Sequence, residues 1–250
     1  MLDVLAIGAH PDDVELGMGG TMLRFADAGL ACGVLDLTRG ERGSRGTAEQ
    51  RAEEARRATE LMALRVRETL EFPDTELVAG VDVRHAIVEA IRRHRPRIVL
   101  APFPGDLHPD HAAAGTAARE AFYPSGMKNL AAAGVPYRPR ALYHYFMHDE
   151  RETDVVVDVG PVWERRLELA RCFGSQLHRA TADGDDFPTL ISRPDFLERI
   201  EARARTWGRR AGVELGEALL PASPLAIVDP AALLLGPRDE GAADRSDAGR

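Results

Sequence analysis

The tightest constraint on the fold of this chain is an alternation of short apolar runs with segments of helical spacing. Leu2–Gly8 reads as a buried strand, stopped by Gly-Ala-His-Pro. Met18–Ala28 places Met18, Met22, Phe25 and Ala26 on a helical stripe and ends at Gly29, a C′ glycine. Ala31–Leu37 is a second strand-like run, and the glycine- and arginine-rich segment Thr38–Thr47 is a loop. Thr47 caps a helix predicted over Ala48–Leu64, with Gln50 completing a capping box. A strand over Glu68–Phe72 halts at Pro73-Asp74, a helix over Val81–His94 stops before Pro96, and Arg97–Ala101 is another buried strand. Strands alternating with helices of 11 to 17 residues imply βαβ units. Right-handed crossovers then place helices on both faces of a mostly parallel sheet, a Rossmann-like three-layer α/β sandwich.

Past residue 125 the pattern loosens into a smaller C-terminal α/β portion. Strands are predicted over Ala141–Met147 and Thr153–Val159, and helices over Val162–Gly174 and Pro194–Gly212. With 250 residues, 44% of them hydrophobic, the chain supports one sizeable core. A single domain over residues 1–236 is expected, and the polar stretch Pro237–Arg250 reads as a disordered tail.

Composition excludes several functions. Forty acidic against 32 basic residues, a net charge of −8, is the wrong sign for a global nucleic-acid footprint. A local arginine cluster still allows an anionic small-molecule substrate. Cys32, in a strand-like run, and Cys172, in a helical pattern, read as two thiols in a reducing compartment and not as a disulfide scaffold. No basic segment precedes the first strand, and no apolar run reaches the roughly 18 residues of a membrane span. A soluble, cytoplasmic protein with no membrane partner is the expectation.

The chemistry concentrates in two segments. Ala9-His10-Pro11-Asp12-Asp13-Val14-Glu15 follows the first strand and holds one imidazole and three carboxylates within six residues. His108-Pro109-Asp110-His111 lies beyond the fourth strand-like run, on a strand-to-helix turn. Open α/β sheets bind ligands beyond the carboxyl ends of strands flanking a switch point, so the two segments are placed to face each other. A catalytic Zn²⁺ takes three protein ligands and leaves one position open. His10, one of the adjacent aspartates and one histidine of the second segment provide such a set, and the other aspartate is then available as a general base. A single His-Pro-Asp is an ordinary turn; two copies, each beyond a predicted strand, favour a metal site. Gly17-Met18-Gly19-Gly20-Thr21 invites a nucleotide-binding module as a rival. The acidic segment ahead of it repels phosphate and no Walker lysine follows, so these glycines read as a close-packing device.

The paired motifs Ala-His-Pro-Asp-Asp and His-Pro-Asp-His resemble those of the PIG-L/LmbE superfamily of metal-dependent deacetylases. Leu2–Thr21, Leu35–Glu41, Arg51–Ala55, Phe72–Asp74 and Cys172–Gln176 are similar to its bacillithiol-pathway branch, which deacetylates N-acetylglucosaminyl malate, and the likeness covers roughly residues 2–228. The resemblance implies zinc, with Fe²⁺, Co²⁺ or Mn²⁺ as other occupants, held by His10, Asp13 and His111. It implies Asp12 as general base, His108 assisting charge development with Asp110 orienting it, and Arg51 near the substrate. Arg39, with Arg42 and Arg45, is available for a malate carboxylate. It also implies a homo-oligomer, a hexamer being one form, acting on a small glycoconjugate; another N-acetyl sugar or a thiol conjugate is the alternative substrate. Two positions depart from the family's pattern: Leu107, where some close relatives carry arginine, and Phe196, where a tyrosine is expected. Tyr143, His144, Tyr145 and His148 fit either a pocket lining or plain strand alternation.

Overall fold

All five residues of the first strand are buried, because helices cover both faces of the sheet it centres. A computed structural model describes residues 1–177 and 188–224. The parallel half of the sheet comprises β1 (Val4–Gly8), β2 (Cys32–Asp36), β3 (Val66–Thr69), β4 (Ile98–Pro102) and β5 (Ala141–Tyr145). The helices that follow the first four strands in turn are α1 (Asp13–Asp27), α2 (Ala48–Leu61), α3 (Val81–His94) and α4 (Pro109–Phe122). The C-terminal portion adds β6 (Val155–Asp158), α5 (Trp163–Arg171), α6 (Phe196–Ala211) and β7 (Gly216–Pro221). The strands form one sheet in the order β3-β2-β1-β4-β5-β7-β6, with β7 antiparallel to both neighbours. One core packs α1, α2, α5 and α6 on one face through Met22, Ala58, Leu169 and Ile200. The other packs α3 and α4 on the opposite face through Ile87, Ile91 and a ladder of alanines from Ala114 to Ala121. This is the expected three-layer arrangement, and β1 and β4 pair at the switch point.

Three local readings need correction. Helix α1 starts at Asp13, not Met18, and its backbone leaves helical geometry at Met18 (φ −151°, ψ 30°). The break frees the amides of Gly20 and Thr21, which donate to the Glu217 carboxylate at 3.1 and 2.6 Å. A Cβ on Gly17 would lie 2.6 Å from Met147 Sδ, and one on Gly19 2.8 Å from Leu169. Those glycines are therefore a packing device, and Glu217 occupies the amides a phosphate would need. Second, β3 begins at Val66, ahead of the predicted Glu68, because its pairing with β2 runs from Gly33–Val66 to Asp36–Thr69. Third, β7 is a short strand that the sequence pattern did not disclose; it is sheltered between β5 and β6. The predicted tail, Pro237–Arg250, lies outside the described residues, as does the domain end at 236.

Glu217 also receives the Arg166 guanidinium at 3.0 Å, with Arg166 only 1% exposed. Glu217→Ala is expected to destabilise the protein by about 3–5 kcal/mol, since it strands a buried cation and the α1 amides. Urea denaturation measures this; a loss within experimental error would remove Glu217 as the pin of the kink.

Candidate functional site

The loops after β1 and β4 meet at the carboxyl edge of the sheet. Asp13 opens α1, and its Oδ2 accepts the amides of Ala9 (2.8 Å) and His10 (3.0 Å). Its other oxygen is thereby held 3.1 Å from His111 Nε2 and 3.6 Å from His10 Nδ1. His10, Asp13 and His111 are all buried, and one donor atom from each lies within 4.8 Å of the others. The outward nitrogens are tied to carboxylates. His10 Nε2 faces Asp74 (3.1 Å) and Asp110 (3.3 Å), and His111 Nδ1 faces Asp106 (3.0 Å). Histidines that ligate metals carry such carboxylates behind them.

The electrostatics express the same crowding. Burial presses the Asp13 carboxyl upward, but His111 and His10 beside it hold it well below the usual carboxylate range. Burial works against protonated His111 and His10; Asp13 overrides it, taking His111 up to about 9 and His10 well above its ordinary value. Burial raises Asp12 to about 6, against the pull of Arg51. Burial and the neighbouring His111 lower His108. Asp12 also has a positive φ of 139°, a strained conformation for a non-glycine residue at the N-cap of α1.

The remaining residues singled out in the sequence fall in different places. Arg51 is buried; it lies 2.8 Å from Asp12 and donates to the carbonyls of Pro11 and Gly40, both at 3.2 Å. It therefore holds Asp12 in place. Arg39 is half-exposed, 3.6 Å from Glu49, and lines a groove of about 630 Å³ between α2 and β3 that Pro11 also borders. Arg42 pairs with Glu76, and Arg45 donates to the carbonyls of Ser175 and Leu177. The Asp110 carboxylate does not orient His108: it accepts the Thr75 amide (2.8 Å) and faces His10. The link to His108 is the Asp110 amide donating to Nδ1 at 3.2 Å, an N-cap bond of α4. With Nδ1 accepting, Nε2 carries the proton of the neutral ring. Tyr145 and His144 are structural, bonded to the carbonyls of Ile7 and Pro102 at 2.9 Å each.

Sequence reasoning missed Asp74 and Asp106 as members of this cluster and left His148 open between a pocket lining and plain strand alternation; the structure places it in the cluster. His148 stacks on His111 at 5.4 Å and shares Asp106 with it, its Nδ1 being 3.0 Å from Oδ1. Asp106 had one signal, its position in the Pro-Gly-Asp turn just beyond β4; Asp74 had another, in Phe-Pro-Asp beyond β3.

The donor set fits a divalent cation. Separations of 3.1 and 3.6 Å bracket the roughly 3.4 Å edge of a tetrahedron with bonds of about 2.0–2.1 Å, the zinc geometry for nitrogen and carboxylate ligands. Two further trios, His10–His108–Asp110 and Asp106–His111–His148, also come together, but each includes a carboxylate already engaged on the outer nitrogen of His10 or His111.

A parallel sheet with a buried histidine–carboxylate cluster at its switch point defines a Rossmann-like α/β protein with a hydrolase-type site. The profile of the PIG-L family, described as GlcNAc-PI de-N-acetylase, matches residues 5–122. The diacetylchitobiose deacetylase of Thermococcus kodakarensis is 36% identical over 188 residues, covering 69% of either chain. The crystal structure of the conserved protein TT1542 from Thermus thermophilus superposes with a TM-score of 0.82 at 35% identity, over 91% of this chain and 98% of that one. The N,N′-diacetylchitobiose deacetylase from Pyrococcus horikoshii gives 0.75 at 27% identity, over 87% and 82%. This chain belongs to the PIG-L family. Deacetylation of N-acetylglucosamine-type substrates is the activity these resemblances support.

Proposed function

We propose that this chain hydrolyses the acetamide of an N-acetylglucosaminyl conjugate, with a divalent cation, zinc in the first instance, held by His10, Asp13 and His111. The observation that carries the reading is the buried trio with Asp12 beside it, ion-paired to Arg51 at 2.8 Å. When bound, the cation supplies a Lewis acid that polarises a carbonyl and acidifies water. Asp12 takes a proton from the attacking water, whose oxygen bonds to the acetyl carbon. The C–N bond breaks, and Asp12 returns the proton to the leaving nitrogen, giving a free amine and acetic acid, which ionises to acetate. A carboxyl with a pKa near 6 suits both transfers. His108 Nε2–H is a donor for charge that develops on the way.

The malate conjugate of the bacillithiol pathway is the first candidate substrate, and diacetylchitobiose, named by the thermococcal relative, is the second. Acetate release by the zinc-loaded protein on each, beside plain N-acetylglucosamine, tests the reading; no release from any of them refutes it. No described helix is long and apolar enough to cross a membrane. A cytoplasmic homo-oligomer remains part of the proposal, to be checked by fractionation and light scattering.

Asp106→Asn is expected to weaken zinc binding by about 10–100-fold, because Asp106 stands behind His111. Competition with a chelating dye measures this, and an unchanged affinity would show that His111 is not a ligand backed by Asp106.

A further inference from the structure

Next to the cation site lies a cavity of about 340 Å³ that the proposed chemistry does not use. The two share a wall. His148 lines the cavity and stacks on His111, Leu107 immediately precedes His108, and Leu16 sits in the first turn of α1 after Asp13. The volume is within the range of small-ligand sites, about 300–1,000 Å³.

Its lining has a definite chemistry. Leu107, Met147, Leu190, Phe196 and Ile200 make it apolar. Leu107 and Leu190 are 71% and 56% exposed, so large apolar side chains stand at its border in contact with water. The charged lining residues are Arg193, Arg199 and Arg203, and among the described residues no carboxylate lines the cavity. Among the described residues Arg193 and Arg199 share one carboxylate partner, Asp195, at 3.2 and 2.7 Å, leaving one positive charge in excess. Arg203 is engaged with the Met147 carbonyl at 2.7 Å and lies 3.8 Å from Glu150. The two departures from the family's pattern, Leu107 and Phe196, both fall on this lining.

We propose that this cavity is the aglycone subsite, and that it takes an aglycone joining an apolar body to an anionic group. The inference rests on the deacetylase reading above for the position of the sugar. A second hexose offers hydroxyls to the arginines but no apolar body for the leucine, methionine and phenylalanine side chains. Malate brings charge for the arginines but no apolar body for the leucines. An aryl or alkyl carboxylate or phosphate satisfies both.

The test pairs binding with turnover. The probes are 4-carboxyphenyl glucosaminide, a product analogue, and glucosamine for calorimetry, and 4-carboxyphenyl N-acetylglucosaminide, the malate conjugate, diacetylchitobiose and N-acetylglucosamine for acetate release. The carboxyphenyl product is expected to bind at least about tenfold more tightly than glucosamine. Its acetylated form is expected to exceed both the malate conjugate and diacetylchitobiose in kcat/KM. Leu107→Gln and Arg199→Gln should each cut the binding ratio by about fivefold or more; both side chains are exposed, so folding is not at issue. Equal affinity for the two binding probes, or a ratio unmoved in both variants, overturns the subsite whatever the turnover. Tenfold tighter binding without release from any substrate supports the subsite and overturns the deacetylase reading instead.

Discussion

Asp12→Asn is expected to lower kcat by about 10²–10⁴-fold while bound zinc stays stoichiometric. The asparagine keeps an oxygen for Arg51, 2.8 Å away, and leaves Asp13 untouched, so the cation site survives while the proton acceptor is lost. The same residue sets an acid limit on the reaction. A base must be ionised, and burial raises Asp12 to about 6 in the metal-free protein. A bound cation adds positive charge nearby and pulls that value down, so kcat/KM should fall as pH drops through a midpoint at or below 6. A variant that retains kcat within about threefold of the parent would exclude Asp12 as the base, since general-base catalysis contributes far more than that.

His111→Ala is expected to abolish both zinc binding and acetate release. Its effect on affinity should exceed the about 10–100-fold assigned to the partner behind it, Asp106. His111 supplies a donor atom 3.1 Å from Asp13, and removing it leaves a two-ligand site. Affinity in the parent protein should also depend on pH with a definite sign. Asp13 raises His111 to about 9, so below that pH the imidazole carries a proton which zinc must displace. His10, also raised well above its ordinary value, must lose its proton as well, so zinc affinity rises with pH across the range up to about 9. Dye competition across pH 6 to 9 is the measurement; a flat profile would mean that His111 does not exchange a proton for the cation.

The parallel half of the fold was legible because each element announces itself locally. β1, β2 and β4 are short apolar runs, and α3 matches its predicted span, Val81–His94, because Pro96 stops it. The trio was legible for a related reason. His10 and Asp13 come from one turn, His111 from a second copy of nearly the same motif, and the adjacency of β1 and β4 follows from the topology such alternation imposes. The α1 kink was not legible, because Glu217, which accepts the amides it frees, lies on a strand far along the chain. The same holds for β7, whose six residues carry little signal until β5 and β6 flank them.

The sequence by itself determined which residues carry the chemistry: two His-Pro-Asp segments and the strands they follow, since metal ligands and strand-to-helix turns are matters of residue type and near spacing. Only the tertiary structure decided what each charge is for. Arg51 and Arg39 are both arginines near one glycine-rich loop, yet the first is buried on Asp12 and the second borders a groove beside Glu49. Asp110 sits beside His108 in sequence but places its carboxylate on His10. Asp106 joins the site from the loop that carries His108, and Asp74 and His148 join it from two other segments. The physical reason is range. Propensity and turn chemistry act over a few residues, whereas a buried charge is stabilised by whichever partner the packed chain brings within about 3 Å.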